Sequence, residues 1–404
     1  MKRNGSRQIR QLGIKGDRGV RIQRYRCKTC LGSFTNRDQA RGRYTKAFKI
    51  EVTRRHVEQR ESYRVIAKSV MEESGRRISP TTLNHMVSEI AESCKSVFEM
   101  SYELRPNWEG YLLLDEKMIS VRGNQQWFYC AVDGTGDIVH CRLVPELTST
   151  EAMKFINEVI VGLEYNCRGV TTDFDSSLTI AVEKILPGKP HQICLKHAFS
   201  SLEKAIGYKP YAQRRRWNIT TLKTDFEKLR DKKGIWVEKA RKDFMEVYKE
   251  HQVLSLHHNN LLELRKLLHQ ILFAQSRGMA KKRFDELRHR RMPSMVAVQK
   301  QKAINFLKRY WDKLMVYHYH YGMPRTTNLV ENVNKQIERR MKTIESFQSK
   351  KSAEDYMNLL IAYLRQKPYT DCRGKRKRLN GRSRLECAGV HLKTKDWLKN
   401  SISK

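Results

Sequence analysis

The spacing of apolar residues along residues 44–100 predicts a group of helices. We predict three helices there, over Lys46–Gln59, Ser62–Glu73 and Thr81 to about Ser93. The third begins at Ser79 and Pro80, because a serine can cap the free amide groups of a first turn and a proline at that position loses no hydrogen bond. Two short helices, a turn that contains glycine and a third helix are typical of a helix-turn-helix domain.

Residues 108–204 follow a different pattern, in which short apolar runs alternate with amphipathic segments. We predict five strands, over Tyr111–Asp115, Trp127–Val132, Ile138–Val144, Gly169–Asp173 and His191–Cys194. We predict helices over Ser149–Leu163, Ser177–Ile185 and from about His197. Strand-helix-strand units require parallel pairing, whereas the turn at Asp133-Gly134 joins two antiparallel strands. The fold class is therefore α+β or α/β, with a mixed five-stranded sheet.

The chain divides into six segments by pattern and composition. Residues 1–43 are rich in Arg and Gly and show little periodicity, whereas residues 205–325 are helical and amphipathic. We assign the segments as 1–43, basic and partly similar to a zinc ribbon; 44–100, helix-turn-helix; 108–204, first part of a sheet-containing core; 205–325, all-helical insertion; 326–366, last part of the core; and 367–404, basic C-terminal tail.

The charge of the chain indicates a polyanionic partner. The 404 residues include 80 Lys and Arg against 43 Asp and Glu, which gives a formal net charge of +37. Residues 1–60 hold 18 basic and four acidic residues, and Arg373–Arg378 is a basic run near the other end. Each phosphate that Lys or Arg neutralises releases a counterion, so nucleic acid is the partner that this charge favours. In the predicted helix-turn-helix, the candidates for contact with a DNA groove are Arg76, Arg77, Thr81, Thr82, Asn84 and His85.

The composition excludes two classes of protein. No apolar run approaches the roughly 20 residues that a membrane-spanning helix needs. With 39% hydrophobic residues, the chain is too apolar for a disordered protein. The first residues show no secretory signal, and nine scattered cysteines do not indicate a disulfide framework. We therefore expect a cytoplasmic, nucleoid-associated protein in a prokaryote, or a nuclear protein in a eukaryote.

Two carboxylates stand at the ends of predicted strands. Asp115 ends the first strand and Asp173 ends the fourth, and both side chains meet at one edge of the sheet if these strands are neighbours. Two close carboxylates repel each other unless a cation lies between them, and Mg²⁺ prefers such oxygen ligands. Asp175 is an alternative to Asp173, but its position suits the cap of a helix that begins at Ser176.

A third acid is expected on a later helix. Glu331 lies in the first turns of that helix, beside its predicted core face. We predict that this face consists of Leu329, Val333, Ile337 and Met341, with Val330 alongside. The alternative acid is Glu338, which we expect on the surface as a partner for Lys335 or Lys342.

The order of these elements resembles that of DDE transposases, in particular the Mutator-like enzymes and related prokaryotic insertion-sequence transposases. Thr171-Thr172-Asp173 followed by Leu186–His197 is the most specific match. In those families a second Asp is followed, after a helix and a strand, by Cys-x-x-His or Asp-x-x-His, and a long helical insertion precedes the Glu. The sequence Thr-Thr-Asn-x-x-Glu-x-x-Asn at 326–334 also fits. The resemblance covers roughly residues 108–366 and implies a ribonuclease H-like catalytic core.

The resemblance implies a metal-dependent DNA transposase. Asp115, Asp173 and Glu331 would hold two Mg²⁺ or Mn²⁺ ions, and Cys194 and His197 would mark the neighbourhood of the active site without being catalytic. Such an enzyme binds the terminal repeats of a transposable element, cleaves the DNA and transfers the strands to target DNA. It acts as a homo-oligomer, because two ends are joined. The alternatives are an inactive, transposase-derived regulator that binds DNA and a structure-specific nuclease of the same fold.

Cys27 and Cys30 resemble the second half of a zinc ribbon. A complete ribbon needs another Cys-x-x-Cys about 15–20 residues upstream, and no cysteine precedes Cys27. Structural zinc takes four ligands. We therefore do not expect zinc among the cofactors, although the basic residues around the two cysteines remain candidates for DNA binding.

Overall fold

The computed structural model describes residues 2–14, 16–35, 43–230, 235–344 and 346–402. They form two compact units. Unit 1 comprises Met1–Gly110, Asp115–Asn166 and Leu329–Lys404, and unit 2 comprises Tyr111–Leu114 and Cys167–Asn328. Among the described residues, no helix is both long and apolar enough to cross a membrane.

Unit 1 begins with a three-stranded antiparallel sheet, which is a correction to the sequence analysis. Its strands are β1 (Lys2–Gly13), β2 (Gly16–Arg26) and β3 (Ser33–Thr35), in the order β1-β2-β3. The pairing of β1 with β2 ends at Gly13 opposite Gly16. Leu12 and Ile22 are buried, but arginines occur on both faces of the hairpin, so the two-residue alternation that signals a strand is missing from the sequence.

Four helices follow in unit 1. They are α1 (Lys46–Val57), α2 (Tyr63–Ser74), α3 (Pro80–Glu92) and α4 (Val97–Leu104). The three predicted helices are confirmed with bounds within two residues. Ser62 and Ser79 cap α2 and α3 through their side-chain oxygens, and Gly75 ends α2 in the left-handed conformation that glycine adopts without strain.

The second part of unit 1 contains two antiparallel strands and the helices around them. The elements are β5 (Asn124–Asp133), β6 (Ile138–Val144), α5 (Ser149–Asn157), α12 (Asn328–Ile344, in unit 1 from Leu329) and α13 (Lys350–Gln366). Strand β6 has the predicted bounds. The helix predicted over Ser149–Leu163 is confirmed to within one residue, and its last part, over Glu158–Gly162, is a wider π-helical turn.

Strand β4 (Tyr111–Val121) is longer than predicted. It starts in unit 2 and continues in unit 1, so Asp115 lies inside the strand and not at its end. Glu116 and Lys117, directly after Asp115, are polar and half-buried and interrupt the apolar run used for the prediction, although Ile119 and Val121 further along are buried. The sheet to which β4 belongs has the order β6-β5-β4-β7-β8, which confirms a five-stranded mixed sheet.

Unit 2 contains parallel strands and the helical insertion. The start of β4 pairs with β7 (Gly169–Thr172), which pairs with β8 (His191–Ile193), both in parallel. The helices are α6 (Ser176–Ile185), α7 (Leu195–Ala205), α8 (Tyr208–Arg230), α9 (Ile235–Leu272), α10 (Arg277–His289) and α11 (Ala297–Leu314). An apolar core of α7, α9, α10 and α11 side chains joins the insertion to β8.

The C-terminal residues of unit 1 are folded. A 3-10 helix over Gly374–Leu379 is followed by α14 (Arg384–Cys387) and α15 (Trp397–Ser401). Leu385, Trp397 and Leu398 are buried, and Gln366 at the end of α13 donates to Ser401 Oγ at 3.0 Å. The predicted basic tail therefore includes ordered structure as far as Ile402.

Candidate active site

In unit 1, Asp115 is held by a residue of α12. Asn334 Nδ2 donates a hydrogen bond to Asp115 Oδ2 at 2.9 Å, and the backbone N–H of Glu116 donates to Asp115 Oδ1 at 3.1 Å. Asn334 is buried, and its Oδ1 accepts no hydrogen bond from the described residues. The amide of Asn334 therefore orients the Asp115 carboxylate and leaves its own oxygen available.

Glu331 lies one turn before Asn334 on α12. Residues three apart on a helix are neighbours on its surface, so Glu331 and Asn334 share one side of α12. Glu331 is half-buried. Unit 1 thus brings Asp115 to the helix that carries the predicted third acid.

The buried face of α12 is rotated from the predicted one. Leu329 and Met341 are half-buried and not in the core, which corrects the sequence analysis. The buried face consists of Val330, Val333, Asn334, Ile337 and Arg340. The prediction counted apolar residues only, and it missed that Asn334 and Arg340 are buried through hydrogen bonds.

Glu338 is engaged in ion pairs on the surface of unit 1. It pairs with Lys117 at 3.1 Å and with Lys342 at 3.5 Å. The hydrogen bond and the charge of Lys117 lower the pKa of Glu338. The predicted surface pairing with Lys342 is confirmed, and Lys117 is an additional partner that the sequence did not indicate.

In unit 2, Asp173 follows strand β7 in a half-buried position. Burial raises the pKa of Asp173, against the hydrogen bond from the N–H of Asp175 and the charge of His197. That hydrogen bond, to Asp173 Oδ1, measures 2.8 Å. Asp175 accepts from the N–H of Leu178 at 2.9 Å and caps α6, as predicted.

Cys194 and His197 lie at the start of α7, in contact with each other. Cys194 is fully buried, and its sulfur accepts hydrogen bonds from the N–H of Thr327 at 3.4 Å and from Thr327 Oγ1 at 3.3 Å. Burial acts to raise the pKa of the Cys194 thiol, but the hydrogen bonds with His197 and Thr327 outweigh it and the pKa lies below its usual value. Unit 2 therefore brings Asp173, Cys194 and His197 into one electrostatic neighbourhood.

Each of the two aspartates follows a paired residue of the parallel strands in the sequence. Within unit 2, Leu113 of β4 lies opposite Thr171 of β7. Asp115 comes two residues after Leu113, and Asp173 comes two residues after Thr171. That the two carboxylates share one metal site stays a prediction.

The candidates for DNA contact lie in several environments of unit 1. Thr81 and Asn84 line a cavity of about 420 Å³ whose other walls include Thr343, Phe347 and Tyr356. Arg76 is ion-paired with Asp17 of β2, and Thr82 Oγ1 is hydrogen-bonded to the cap Ser79. Arg77 and His85 are exposed. Groove recognition by these residues stays a prediction.

Cys27 and Cys30 lie in the turn between β2 and β3. The N–H of Cys27 donates to Gly32 O at 2.9 Å, and hydrogen bonds from the backbone of Cys30 and Thr29 lower the pKa of Cys27 to about 7. In the described part of the chain, neither cysteine belongs to a group of three side chains that could hold a metal ion.

Two residues of the segment 326–334 have roles that the sequence analysis did not assign. Asn334 holds Asp115, and Thr327 holds Cys194. Both belong to the 326–334 sequence on which part of the resemblance rests. That motif was the available signal, although it does not say which strand residues its members contact.

Comparison with known proteins adds one finding. Residues 248–368 match the sequence profile of the family described as Transposase, Mutator family. The match runs from α9 to the residues after α13 and includes Glu331 and Asn334, but neither Asp115 nor Asp173. A search of curated proteins gives no match to the chain. The match to residues 248–368 confirms the resemblance to Mutator-like transposases. It supports the interpretation that this protein is similar to transposases.

Proposed function

We propose that the protein is a DNA transposase that binds the ends of a transposable element and cleaves and joins DNA with divalent metal ions. Asp115, Asp173 and Glu331 are the proposed ligands of two Mg²⁺ or Mn²⁺ ions. The observation that carries the proposal is the hydrogen bond from Asn334 to Asp115. It ties the first acid to the helix that carries the third, and that helix lies within the segment similar to Mutator transposases.

The residues present fit a hard divalent cation. Carboxylate oxygens are the ligands that Mg²⁺ prefers, and Asn334 Oδ1, buried and without a partner among the described residues, is an oxygen that can accept from metal-bound water. Burial raises the pKa of Asp173, and a bound cation favours its ionised form. Two such ions, when bound, activate the attacking oxygen and stabilise the leaving oxygen of an in-line displacement at phosphorus.

The chain itself supplies orientation and charge. Asn334 holds Asp115 in one rotamer, because one carboxylate oxygen accepts from the amide and the other from the backbone of Glu116. In unit 2, Thr327 and Cys194 fix the start of α7, and the charge of His197 favours the ionised form of Asp173. Cys194, His197, Thr327 and Asn334 are therefore positioning residues, and the three acids are the proposed catalytic residues.

Assembly and location follow from the proposed chemistry. Two transposon ends must be joined together, so the active form is a homo-oligomer on DNA. The protein acts where the element's DNA lies, in the nucleoid of a prokaryote or in the nucleus of a eukaryote. The ordered helices α2 and α3 remain the proposed readers of the terminal repeats.

The test is a cleavage and strand-transfer assay on DNA that flanks the gene, with Mg²⁺ or EDTA. Asp115→Asn, Asp173→Asn and Glu331→Gln should each reduce cleavage by about 10³-fold. Glu338→Gln, on the same helix, is the matched control and should stay within about threefold, since Glu338 is an exposed ion-pair partner. Unchanged cleavage in the three variants would falsify the metal site. Nicking of branched DNA without joining would identify a nuclease instead.

A further inference from the structure

Unit 1 contains a cavity that takes no part in the candidate active site. Its volume is about 780 Å³, and it lies between the exposed face of α12, the residues that follow α13 and the turn after β5. Among the described residues, eight Lys and Arg line it, against two acidic residues, Glu109 and Asp371. We call it the basic cavity. Six of its eight cations are Lys335, Arg339, Lys367, Arg376, Arg378 and Arg384.

The charge of the basic cavity is not balanced by ion pairs among the described residues. Within the described ranges, none of the eight is ion-paired with an Asp or a Glu. Arg384 is buried, yet its guanidinium contacts a carbonyl and a ring: it donates to Gly136 O at 2.7 Å and lies 5.2 Å from the centre of the Tyr369 ring. Cations gathered without counter-charges repel one another, so an anion that enters the cavity removes an unfavourable energy.

The wall that carries Arg376 and Arg378 is ordered. The N–H of Tyr369 donates to Arg382 O at 2.9 Å, and the N–H of Gly381 donates to Tyr369 O at 2.8 Å. Asn380 closes the loop, because its side chain accepts from the N–H of Cys372 at 2.9 Å and donates to the carbonyl of Cys372 at 3.2 Å. Cations on a fixed loop lose less conformational entropy on binding than cations on a free tail.

The opposite wall is the outer side of α12. Lys335 and Arg339 are exposed and lie one helical turn apart, a spacing that places Cβ atoms about 6 Å from each other. They alternate with Asn334 and Ile337 of the buried face. Glu331, Lys335 and Arg339 follow one another at four-residue intervals, so the proposed metal ligand and the two cations share one side of α12.

We propose that the basic cavity binds the phosphodiester backbone of duplex DNA, with several successive phosphates contacted by its cations. The cavity is far larger than one phosphate, and its many cations match a polyanion better than a single anion. Its aromatic residue, Tyr369, has one ring face taken by Arg384. The base-stacking platforms that single-strand binding uses are therefore lacking in the described lining, which favours a duplex.

Part of this inference rests on the proposed function. If α12 carries a metal ligand, duplex DNA held by Lys335 and Arg339 is anchored to the same rigid helix that places Glu331. The binding itself does not need the metal site. It can be measured in EDTA, so the failure of one proposal is distinguishable from the failure of the other.

The experiment is a salt titration of duplex DNA binding by the full chain in EDTA. The variant Lys335→Gln/Arg339→Gln/Arg376→Gln/Arg378→Gln removes four exposed cations of the cavity. Each lost phosphate contact reduces the magnitude of the slope of log K against log salt by about 0.9. We therefore expect the magnitude of the slope to fall by about 3 to 4 and the affinity to fall by more than about 10²-fold at moderate salt.

The matched control is Lys242→Gln/Lys249→Gln/Lys281→Gln/Lys282→Gln, which removes four exposed cations of unit 2. We expect a change in slope below about 1 for this control. The proposal would be overturned if the cavity variant and the wild type gave equal slopes of log K against log salt while hydrogen exchange showed that both proteins are folded. Equal losses of DNA affinity in the cavity variant and in the control variant would also overturn it. A third contrary outcome is that the wild type prefers duplex RNA, and that the four cavity substitutions abolish RNA binding while DNA binding persists.

Discussion

The interior of unit 1 contains buried charged groups in addition to its apolar side chains, and the core between α7 and α9–α11 of unit 2 contains apolar side chains. In unit 1, Arg365 and Asp137 form an ion pair with both side chains fully buried. The guanidinium binds both carboxylate oxygens, at 3.0 and 2.8 Å. In unit 2, the core between α7 and α9–α11 is apolar. Its fully buried members include Leu202, Leu261, Leu264, Leu268 and Leu307.

A second polar cluster strengthens the contrast. Arg340 of α12 is buried in unit 1 and donates to His56 O at 2.6 Å and to Arg60 O at 3.0 Å. Its Nε is hydrogen-bonded to the Tyr356 hydroxyl. Such contacts depend on the presence of every partner, whereas apolar contacts scale with buried area. At these buried polar clusters unit 1 should therefore respond to the loss of single charges, and in the core between α7 and α9–α11 unit 2 should respond to the loss of volume.

The largest expected effect is on the buried ion pair of unit 1. Arg365→Met leaves Asp137 as an unpaired buried charge, although Trp108 Nε1 still donates to it at 3.1 Å. We expect unit 1 to lose about 3–5 kcal/mol of stability. Hydrogen exchange of peptides from β6 and α13 measures it.

The double variant Arg365→Met/Asp137→Asn serves as the control for that prediction. Because it removes both charges, it should lose less stability than Arg365→Met alone. A double variant that is clearly less stable than the single one would show that packing of the two side chains, and not their charge, dominates this site.

Loss of volume is the corresponding test for unit 2. Leu268→Ala removes buried methyl groups from the apolar core, where Leu268 is almost fully buried. The expected cost is about 2–4 kcal/mol, because the cavity that remains collapses only in part. Hydrogen exchange should become faster in peptides from α7 and α9–α11. Equal loss of protection in unit 1 peptides would contradict the separation of the two interiors.

Elements with a strong apolar period were predictable from the sequence. Ile138–Val144 has the predicted bounds, and Asp175 caps α6 as expected. The hairpin of β1 and β2 was not predictable, because polar residues occupy both of its faces. The extension of β4 beyond Asp115 was missed because Glu116 and Lys117 interrupt the apolar run, although Ile119 and Val121 beyond them are buried.

The candidate site was predictable as a set of residue types but not as a set of contacts. The hydrogen bond between Asn334 and Asp115 joins residues 219 positions apart. Periodicity is a local signal, so it can place each residue on its element and cannot name its partner across the fold. For the same reason, the basic cavity was visible in the sequence only as the run Arg373–Arg378.

Acidification is expected to have a smaller effect on stability, and a histidine variant can assign this effect to one unit. Burial lowers the pKa of His56 to about 4, and the charge of Arg340 adds to the effect. The unfolded chain therefore binds more protons than the folded one between pH 6.5 and about 4, so His56 stabilises the fold above pH 6.5 and this contribution is lost as the pH falls. We expect unit 1 to lose about 2 kcal/mol between pH 6.5 and 5 from this histidine.

His191 of unit 2 makes the comparison sharper. Burial also lowers its pKa to about 4, so unit 2 should lose stability over the same range. His56→Gln should flatten the pH dependence of protection in unit 1 and leave that of unit 2 unchanged. If His56→Gln flattens the pH dependence of protection in both units, the assignment of the unit 1 effect to His56 is wrong.

The smallest expected effect concerns a surface ion pair of unit 2. Arg214 pairs with Glu250 at 2.7 Å, with side chains 64% and 40% exposed. Exposed pairs contribute little, because water and salt screen them and two long side chains lose freedom. Arg214→Ala should therefore cost less than about 0.5 kcal/mol in α8 and α9. A loss as large as that of Arg365→Met would mean that charge pairs stabilise both units alike, and burial would no longer explain why one arginine matters and the other does not.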